Sequence, residues 1–333
     1  MKRFAAIGGM VAVLACAGAA TAADTLLVGN KSDDTLWRLS LEDGRKLGEA
    51  ATAPGPHEIA VSPDGQLAVV SGYGRQPPGN AITVLDGAGT RVLRTIDLGR
   101  HTGPHGMRFT PDGKLLVTTE HSASLLRVDP VAGKVEEAIA VGGGMGHMVA
   151  VSRDGGAAYV SKLSGGSVMR VDLANGRTLE RPAGEGAEGI EVAADGSVWV
   201  TNRDDGTVTV HDPDTLEILA TLSSPGFPIR VAFTADGRHA LVTNARAGTL
   251  TVFDAAARTP VATVALTMPG KQYRPTLLGE AALPIGVIAD PVRSRVYVAI
   301  SGANEIAVVD TDRWAVVAHW ATGNEPDALG LPH

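Results

Sequence analysis

One short phrase returns seven times along this chain, and it limits the folds open to the chain more than any other feature. Each copy begins with a proline or a small residue and continues as a hydrophobic run, and the first five copies end in Asp-Gly. The copies begin at Pro56, Pro104, Gly146, Ala187, Pro228, Pro284 and Pro326. A repeat with a period of about 40 to 56 residues is typical of propellers and solenoids.

Each complete copy contains four short β-rich runs. The opening run and its turn are followed by a second apolar run such as LLVTT (115–119), then by a third that ends in aspartate, such as LLRVD (125–129), and then by a fourth. Asp-Gly, Asn-Gly and Gly-Gly turn signals separate the runs, as in antiparallel hairpins. The pattern predicts an all-β fold, a β-propeller in which each repeat forms one four-stranded antiparallel blade.

The two ends of the chain contain different parts of one repeat. The seventh copy, at 326–331, contains only a first strand, whereas residues 25–50 have the pattern of strands two, three and four. We therefore predict seven blades, in a ring closed by pairing of the C-terminal first strand with the N-terminal strands. A closed ring leaves no long exposed edge strand. Deletion of the last eight residues is then expected to open the ring.

The sequence motifs of the repeats also resemble those of a known family. The runs VTN, YVS and VYVAI beside SPDG, with V-x-D ahead of a turn, are similar to those of the YVTN-type seven-bladed β-propeller repeat family. The likeness covers nearly all of residues 25–331 and implies the propeller fold. Members of the family and their structural relatives include periplasmic binding and scaffold proteins, dehydrogenase heavy subunits, lactonases and a lyase. The resemblance therefore leaves the function open.

The first 23 residues have the pattern of a secretory signal. Lys2 and Arg3 are basic, residues 4–17 are apolar, and Ala20 and Ala22 are the small residues expected near a cleavage site. We therefore predict a signal peptide over 1–23, export to the periplasm, and a single propeller domain over 24–333.

Cys16 is the only cysteine, and it lies inside this predicted signal. The mature domain therefore has no disulfide and no thiolate ligand. Residues 13–16 loosely resemble a lipoprotein cleavage box, which would acylate Cys16 and tether the protein to a membrane. Leu14 fits that box poorly, so the sequence argues against the tether.

The mature chain is acidic. Loss of Lys2 and Arg3 takes the formal charge from −7 to −9, and no block of basic residues is present. Binding to phosphate backbones needs clustered lysine and arginine. The composition thus argues against nucleic acid and leaves a small molecule or a periplasmic protein as the expected partner.

The second residue of each copy is the strongest candidate for a functional position. The first strand of a blade is innermost, so this residue is expected at one mouth of the central channel. In chain order the seven are His57, His105, His147, Glu188, Ile229, Ile285 and Asp327. Because the ring closes, Asp327 neighbours His57, so five consecutive blades carry polar groups there and two carry isoleucine.

Imidazole and carboxylate groups in one arc suit a divalent or transition-metal ion. They suit proton transfer near neutral pH equally well. His57, His105 and His147 are the candidate metal ligands, and Glu188 and Asp327 join them as candidate ligand-binding residues. A structural role for each histidine and a metal-free small-molecule site stay open as alternatives.

Further candidates for ligand contact are expected around the same mouth. They are Tyr73, Arg75, Glu120, His121, Arg203, Arg230 and Arg246. Four arginines near one mouth of an acidic protein would suit a carboxylate or phosphate. Most repeats span 40 to 42 residues, but the one from Pro228 spans 56 because of an insertion at 268–283. Tyr273 and Arg274 in this insertion are further candidates for ligand contact. Long loops on a regular scaffold are often functional.

Two classes of function remain open at the level of sequence. The first is a noncatalytic propeller that binds a small ligand, a metal ion or a partner protein at this mouth. The second is a lactonase-like hydrolase or lyase, metal-dependent or histidine-based, in which His57, His105 or His147 acts as base or metal ligand with Glu188 as partner. Histidines that meet over a hollow would favour metal binding or catalysis, whereas histidines tucked individually into their blades would favour a scaffold.

Overall fold

The computed structural model describes residues 24–268 and 270–332. The predicted signal peptide, with Cys16, lies outside the described residues. The described residues form strands and turns without an α-helix, which confirms the all-β prediction. None of them belongs to a helix long and apolar enough to cross a membrane.

Twenty-eight strands in the described part of the chain form seven four-stranded antiparallel sheets, the predicted blades. The closing blade contains β30 (Pro326–Gly330), β1 (Thr25–Asn30), β2 (Thr35–Ser40) and β3 (Lys46–Ala51). The next blade contains β4 (Pro56–Val61), β5 (Leu67–Gly74), β6 (Pro78–Asp86) and β7 (Val92–Asp97). The third contains β8 (Pro104–Phe109), β9 (Leu115–Thr119), β10 (Ser124–Asp129) and β11 (Lys134–Ala140).

The remaining four blades follow the chain in the same way. The fourth contains β12 (Gly146–Val151), β13 (Ala157–Lys162), β14 (Ser167–Asp172) and β15 (Thr178–Pro182). The fifth contains β16 (Ala187–Val192), β17 (Val198–Asn202), β18 (Thr207–His211) and β19 (Ile218–Ser223). The sixth contains β20 (Pro228–Phe233), β21 (His239–Asn244), β22 (Thr249–Asp254) and β23 (Thr259–Ala265). The seventh contains β26 (Pro284–Ala289), β27 (Arg295–Ile300), β28 (Glu305–Asp310) and β29 (Ala315–Ala321). A small hairpin of β24 (Pro275–Thr276) and β25 (Gly279–Glu280) lies in the insertion before the seventh blade.

The ring closes as the sequence predicts. β30 pairs antiparallel with β1, with Leu27 opposite Gly330 and Val28 opposite Leu329. Each first strand contacts the first strands of the two adjacent blades, from β30 through β4 and around to β26. Alternate apolar side chains of neighbouring blades pack into clusters such as the one formed by Ile82, Val117 and Leu126. The hydrophobic core is therefore distributed between the blades, and the first strands line a central channel.

The second and third residues of each copy lie in a β-bulge. In β12, for example, Gly146 pairs with Lys162 and Val149 pairs with Val160, so His147 and Met148 together oppose the single residue Ser161. The same register shift occurs in the other six first strands that the structure describes. A bulge redirects side chains out of the regular alternation of a strand. The repeat therefore fixes where its second and third side chains can lie.

In five blades, a serine or threonine hydroxyl near the end of the second strand bonds the backbone of this bulge. Thr201 accepts a hydrogen bond from the backbone N–H of Gly189 at 2.8 Å and donates one to the carbonyl of Ile229 on the next blade at 2.9 Å. Thr243 likewise accepts from Arg230 N at 3.2 Å and donates to the carbonyl of Ile285 at 2.9 Å. These bonds satisfy backbone groups that the bulge frees from the ladder. They explain physically why Ser or Thr recurs in the VTN and YVS runs.

Candidate functional site

The seven second-position residues surround one cavity of about 240 Å³ at the end of the channel where the first strands begin. We call this end the histidine mouth. Five blades form its polar arc, which consists of Asp327, His57, His105, His147 and Glu188. Two blades form its apolar arc, which consists of Ile229 and Ile285.

The three histidines of the polar arc meet each other. The ring centroids of His57 and His105 lie 4.5 Å apart, and those of His105 and His147 lie 3.9 Å apart. Tyr73 stacks on His57 with centroids 4.9 Å apart. His105 and His147 are only 2% and 6% exposed. The histidines therefore converge over a hollow rather than filling separate blades.

His147 is held between two carboxylates. Its Nδ1–H donates to Glu120, and its Nε2 lies 3.3 Å from Glu188 Oε1. Burial opposes the charged imidazole, but attraction to Glu188 and the hydrogen bond to Glu120 outweigh it and raise the pKa of His147 to about 9. Burial likewise opposes the Glu188 carboxylate, but His147 and the nearby arginines bring its pKa down to about 2.

The other two imidazoles are held neutral. Burial lowers the pKa of His57 to about 4, and attraction to Asp327 offsets this only in part. Burial, together with the charge of His147, places the pKa of His105 well below its ordinary value. The Nδ1 atoms of both rings are buried without a hydrogen-bond partner among the described residues. Two neutral imidazoles with unused nitrogen atoms are therefore available beside the cavity.

Each permanent cation at the mouth has a carboxylate partner. Arg203 lies 2.7 Å from Glu188, and Lys31 lies 3.3 Å from Asp327. Arg230 bonds Glu58 at 2.6 Å, and its second terminal nitrogen lies 3.4 Å from Glu188. Buried charges are tolerated when they are paired in this way.

The bond between Arg230 and Glu58 crosses the channel. Arg230 is on β20 and Glu58 is on β4, and in the described ring these strands are separated by three blades on one side and two on the other. The pair lies between the cavity at the histidine mouth and a second cavity of about 340 Å³ deeper in the channel. The ion pair therefore closes the floor of the histidine mouth.

Glu58 was missed by sequence reasoning, although a signal was present. The third residue of the copies is Glu58, Gly106, Met148, Gly189, Arg230, Gly286 and Ala328. Two of these positions carry opposite charges while the others are small or apolar, and a bulge turns such side chains into the channel. The small residues are required where backbones approach: a Cβ on Gly286 would lie 2.1 Å from the carbonyl oxygen of Asp327.

The loop candidates divide into two groups. Tyr73, Glu120, Arg203 and Arg230 line the cavity, and the Tyr73 hydroxyl donates to Glu120 at 2.5 Å. Within the part of the chain that the structure describes, five other candidates lie outside the lining of this cavity: Arg75, His121, Arg246, Tyr273 and Arg274.

The partners of these five side chains explain their positions. Arg75 makes two bonds to the carboxylate of Asp34, at 2.8 and 3.1 Å. Arg246 stacks over the ring of Phe227 at 3.9 Å. The Tyr273 hydroxyl accepts a bond from the backbone of Met268, Arg274 donates to Asn324, and His121 is an exposed neighbour of Tyr73. The insertion reaches the cavity through Thr276, Leu277 and Leu278 instead.

Three side chains are arranged so that one metal ion could bind them together. One ligand atom from each of His105, Glu120 and His147 lies within 4.8 Å of the other two. The sequence predicted His57 as the third ligand beside His105 and His147. In the structure Glu120 is the third member of the group, and His57 contacts the ring of His105. Two imidazoles and a carboxylate form a donor set found in zinc sites. The proton now shared by His147 and Glu120 would leave when an ion binds.

Comparison with known proteins adds information about the fold. No family model matches the chain. This chain is 26% identical over 215 residues to the uncharacterized protein YncE of Salmonella typhi. The matched region covers 62% of this chain and 59% of that protein. The chain thus matches less than two thirds of the length of this curated relative.

Two solved structures extend the likeness. The hydrazine synthase of Kuenenia stuttgartiensis superposes with a TM-score of 0.69 at 20% identity, covering 83% of this chain and 89% of that chain. A streptogramin B lyase superposes with a TM-score of 0.70 at 14% identity, covering 93% of this chain and 92% of that chain. At such identities the likeness shows the seven-bladed propeller fold alone.

Proposed function

We propose that this protein is an exported, periplasmic β-propeller of the YVTN type that binds one divalent transition-metal ion at the histidine mouth. His105, His147 and Glu120 supply the ligand atoms, and His57 is the next imidazole within reach. The observation that carries the proposal is the convergence of these three ligand atoms within 4.8 Å, beside imidazole nitrogens that have no partner among the described residues. Nitrogen and oxygen donors of this kind suit zinc, copper or nickel.

The charges around the mouth favour a cation. In the described part of the chain, and leaving aside the exposed Asp204 beside Arg203, the ion pairs here join five carboxylates to three permanent cations and to His147. The carboxylates are Glu58, Glu120, Glu188, Glu325 and Asp327, and the permanent cations are Lys31, Arg203 and Arg230. With every imidazole neutral this network has a formal charge of −2, which one divalent ion would balance. An anion at the same place would add to the excess negative charge.

Metal titration tests this proposal. Isothermal titration of the purified, chelator-treated protein with Zn²⁺ and Cu²⁺ is expected to show one tight site. His105→Ala and His147→Ala should each weaken binding at least a hundredfold, because loss of a ligand costs more than the ten- to hundredfold typical of its supporting partners. His239→Ala is the matched control, since His239 is half-buried on β21 and contacts Trp314. Absence of a stoichiometric site, or an equal loss in the control, would contradict the proposal.

A hydrolase or lyase of the lactonase kind is the second candidate. His57 favours it, because this neutral imidazole lies 3.8 Å from Asp327 and lines a cavity with room for a substrate. An imidazole beside a carboxylate is a common general base. Turnover of a chromogenic lactone that disappears in His57→Ala and persists in His239→Ala would support catalysis. A lack of turnover by the metal-loaded wild-type protein would leave metal binding as the function.

A further inference from the structure

The histidine mouth has an apolar wall opposite its imidazoles. Ile229 and Ile285 form the apolar arc, and they pack with Phe227, Leu283 and Leu278 in one cluster. The cavity between the two arcs is therefore amphipathic: metal-binding side chains lie on one side and aliphatic side chains on the other. Ligand pockets commonly combine an apolar lining with a few oriented polar groups in this way.

The insertion of the longest repeat lies on the apolar side of this cavity. Leu277 and Leu278 stand at the turn between β24 and β25, and both line the cavity. The Leu277 side chain is 99% exposed. The hairpin is anchored by the backbone bond from Arg274 N to the carbonyl of Gly302, at 2.8 Å. An anchored hairpin thus presents an uncovered leucine at the rim, where a bound apolar group would remove it from water.

The ion pairs of the mouth argue against a charged ligand body. Lys31, Arg203 and Arg230 each lie within 3.4 Å of a buried carboxylate, which belongs to Asp327 or Glu188. An anionic ligand would have to displace one of these carboxylates, which would leave it buried without a partner. A neutral molecule avoids that cost.

We propose that this cavity binds a compact, neutral organic molecule with an aromatic or alicyclic body and one neutral donor atom. The body lies against Ile229, Ile285 and Leu278, and the donor atom points to the metal on the polar arc. The volume of about 240 Å³ suits a small molecule, because pockets for drug-sized ligands are larger. This inference rests on the proposed metal site for the orientation of the ligand, whereas its apolar wall is independent of the metal.

A pair of probes that differ only in an apolar group tests the inference. 4-Phenylimidazole and imidazole share the donor atom. The ratio of their affinities therefore measures how much the phenyl ring contributes to the free energy of binding. We expect the metal-loaded protein to prefer 4-phenylimidazole about tenfold to hundredfold, from burial of the ring. Leu278→Ser and Ile285→Asn should bring the ratio close to one. Val292→Ser is the control, because Val292 is 86% exposed in the turn between β26 and β27 and should leave the ratio unchanged.

The outcomes separate this inference from the metal proposal. Zn²⁺ affinity, measured in parallel, should be the same in Leu278→Ser and wild type, because the hairpin supplies no ligand atom. A preference for 4-phenylimidazole in wild-type protein that shows no affinity for Zn²⁺ would overturn the metal proposal and support the apolar wall. Equal affinity for the two probes, or no binding of either, would overturn the inference. Leu278→Ser lies in a surface hairpin and keeps the test decisive if Ile285→Asn fails to fold.

Discussion

The polar arc and the apolar arc of the histidine mouth use one repeat position for opposite chemistry. His147 in the polar arc and Ile229 in the apolar arc occupy the same place in the same bulge. The backbone carbonyl of each accepts a hydrogen bond from a threonine of the preceding blade, at 2.5 Å for His147 and 2.9 Å for Ile229. The scaffold thus holds the backbone and leaves the side chain unspecified. Differences between blades at this position, rather than the repeat itself, therefore carry the proposed function.

One of the two junctions between the arcs lies at the closing blade, and disrupting that junction should have the largest effect. Deletion of residues 326–333 removes β30 and with it Asp327, which is one end of the polar arc. β1 would become an exposed edge, and Leu27 and Val28 would keep only β2 as a paired strand. We expect loss of the cooperative thermal transition in circular dichroism and binding of a hydrophobic dye.

Deletion of residues 331–333 alone is the control, since it leaves β30 intact. A truncation at residue 325 that still unfolds cooperatively near the wild-type temperature would show that ring closure contributes little.

Arg230 links the arcs, and its loss should have the next largest effect. It follows Ile229 in the apolar arc and bonds Glu58 and Glu188 on the opposite side. Arg230→Met would leave the buried carboxylate of Glu188 and the half-buried carboxylate of Glu58 without this partner, so we expect a loss of about 3–5 kcal/mol in the free energy of unfolding at pH 7. Adding Glu58→Gln should restore part of it. Urea unfolding measures both the loss of stability in Arg230→Met and its recovery in the double variant.

Arg246→Met is the matched control, because this exposed arginine stacks on Phe227, which lies at the start of the same blade. It should cost about 1 kcal/mol or less. Equal stability of Arg230→Met and wild type would mean that the bond across the channel contributes no net stability.

The pH dependence of stability should show a smaller difference between the arcs, because His147 in the polar arc titrates and the isoleucines of the apolar arc do not. The pKa of His147 is raised to about 9 from an ordinary value of 6.5, so the folded protein binds this proton more tightly than the unfolded chain. The resulting stability is fully present below pH 6.5 and is lost as the pH rises toward 9. Its magnitude is on the order of 3 kcal/mol. Unfolding of the metal-free protein between these pH values should show the decline, and His147→Gln should flatten it.

Ile229→Val in the apolar arc should keep the wild-type slope, because this substitution changes no titrating group. A wild-type profile that is flat from pH 6.5 to 9 would show that the two carboxylates do not hold a proton on His147.

Sequence reasoning predicted the architecture because the repeat encodes it locally. Each of the seven copies begins where a first strand begins, from Pro56 to Pro326, since the turn and the apolar run recur in every blade. Pairing of β30 with β1 followed from which strands each end of the chain lacks. Both inferences need only the pattern along the chain.

The site was harder to predict because it depends on directions across the ring. Glu58 was overlooked, since only the bulge shows that third-position side chains turn into the channel. Tyr273 and Arg274 were expected near a ligand, but the hairpin of β24 and β25 brings the leucines that follow them to the cavity instead. Such contacts join residues far apart in the chain, and the local pattern records them only through the two opposite charges at the third position.

The most direct test of the metal site is anomalous diffraction from crystals grown with Zn²⁺, recorded above and below the zinc edge. The account predicts one strong peak at the histidine mouth, about 2.0–2.2 Å from nitrogen atoms of His105 and His147 and from an oxygen of Glu120. The peak should be absent from the triple His57, His105 and His147 alanine variant. A peak elsewhere on the molecule, or none at the mouth of well-ordered wild-type crystals, would contradict the account.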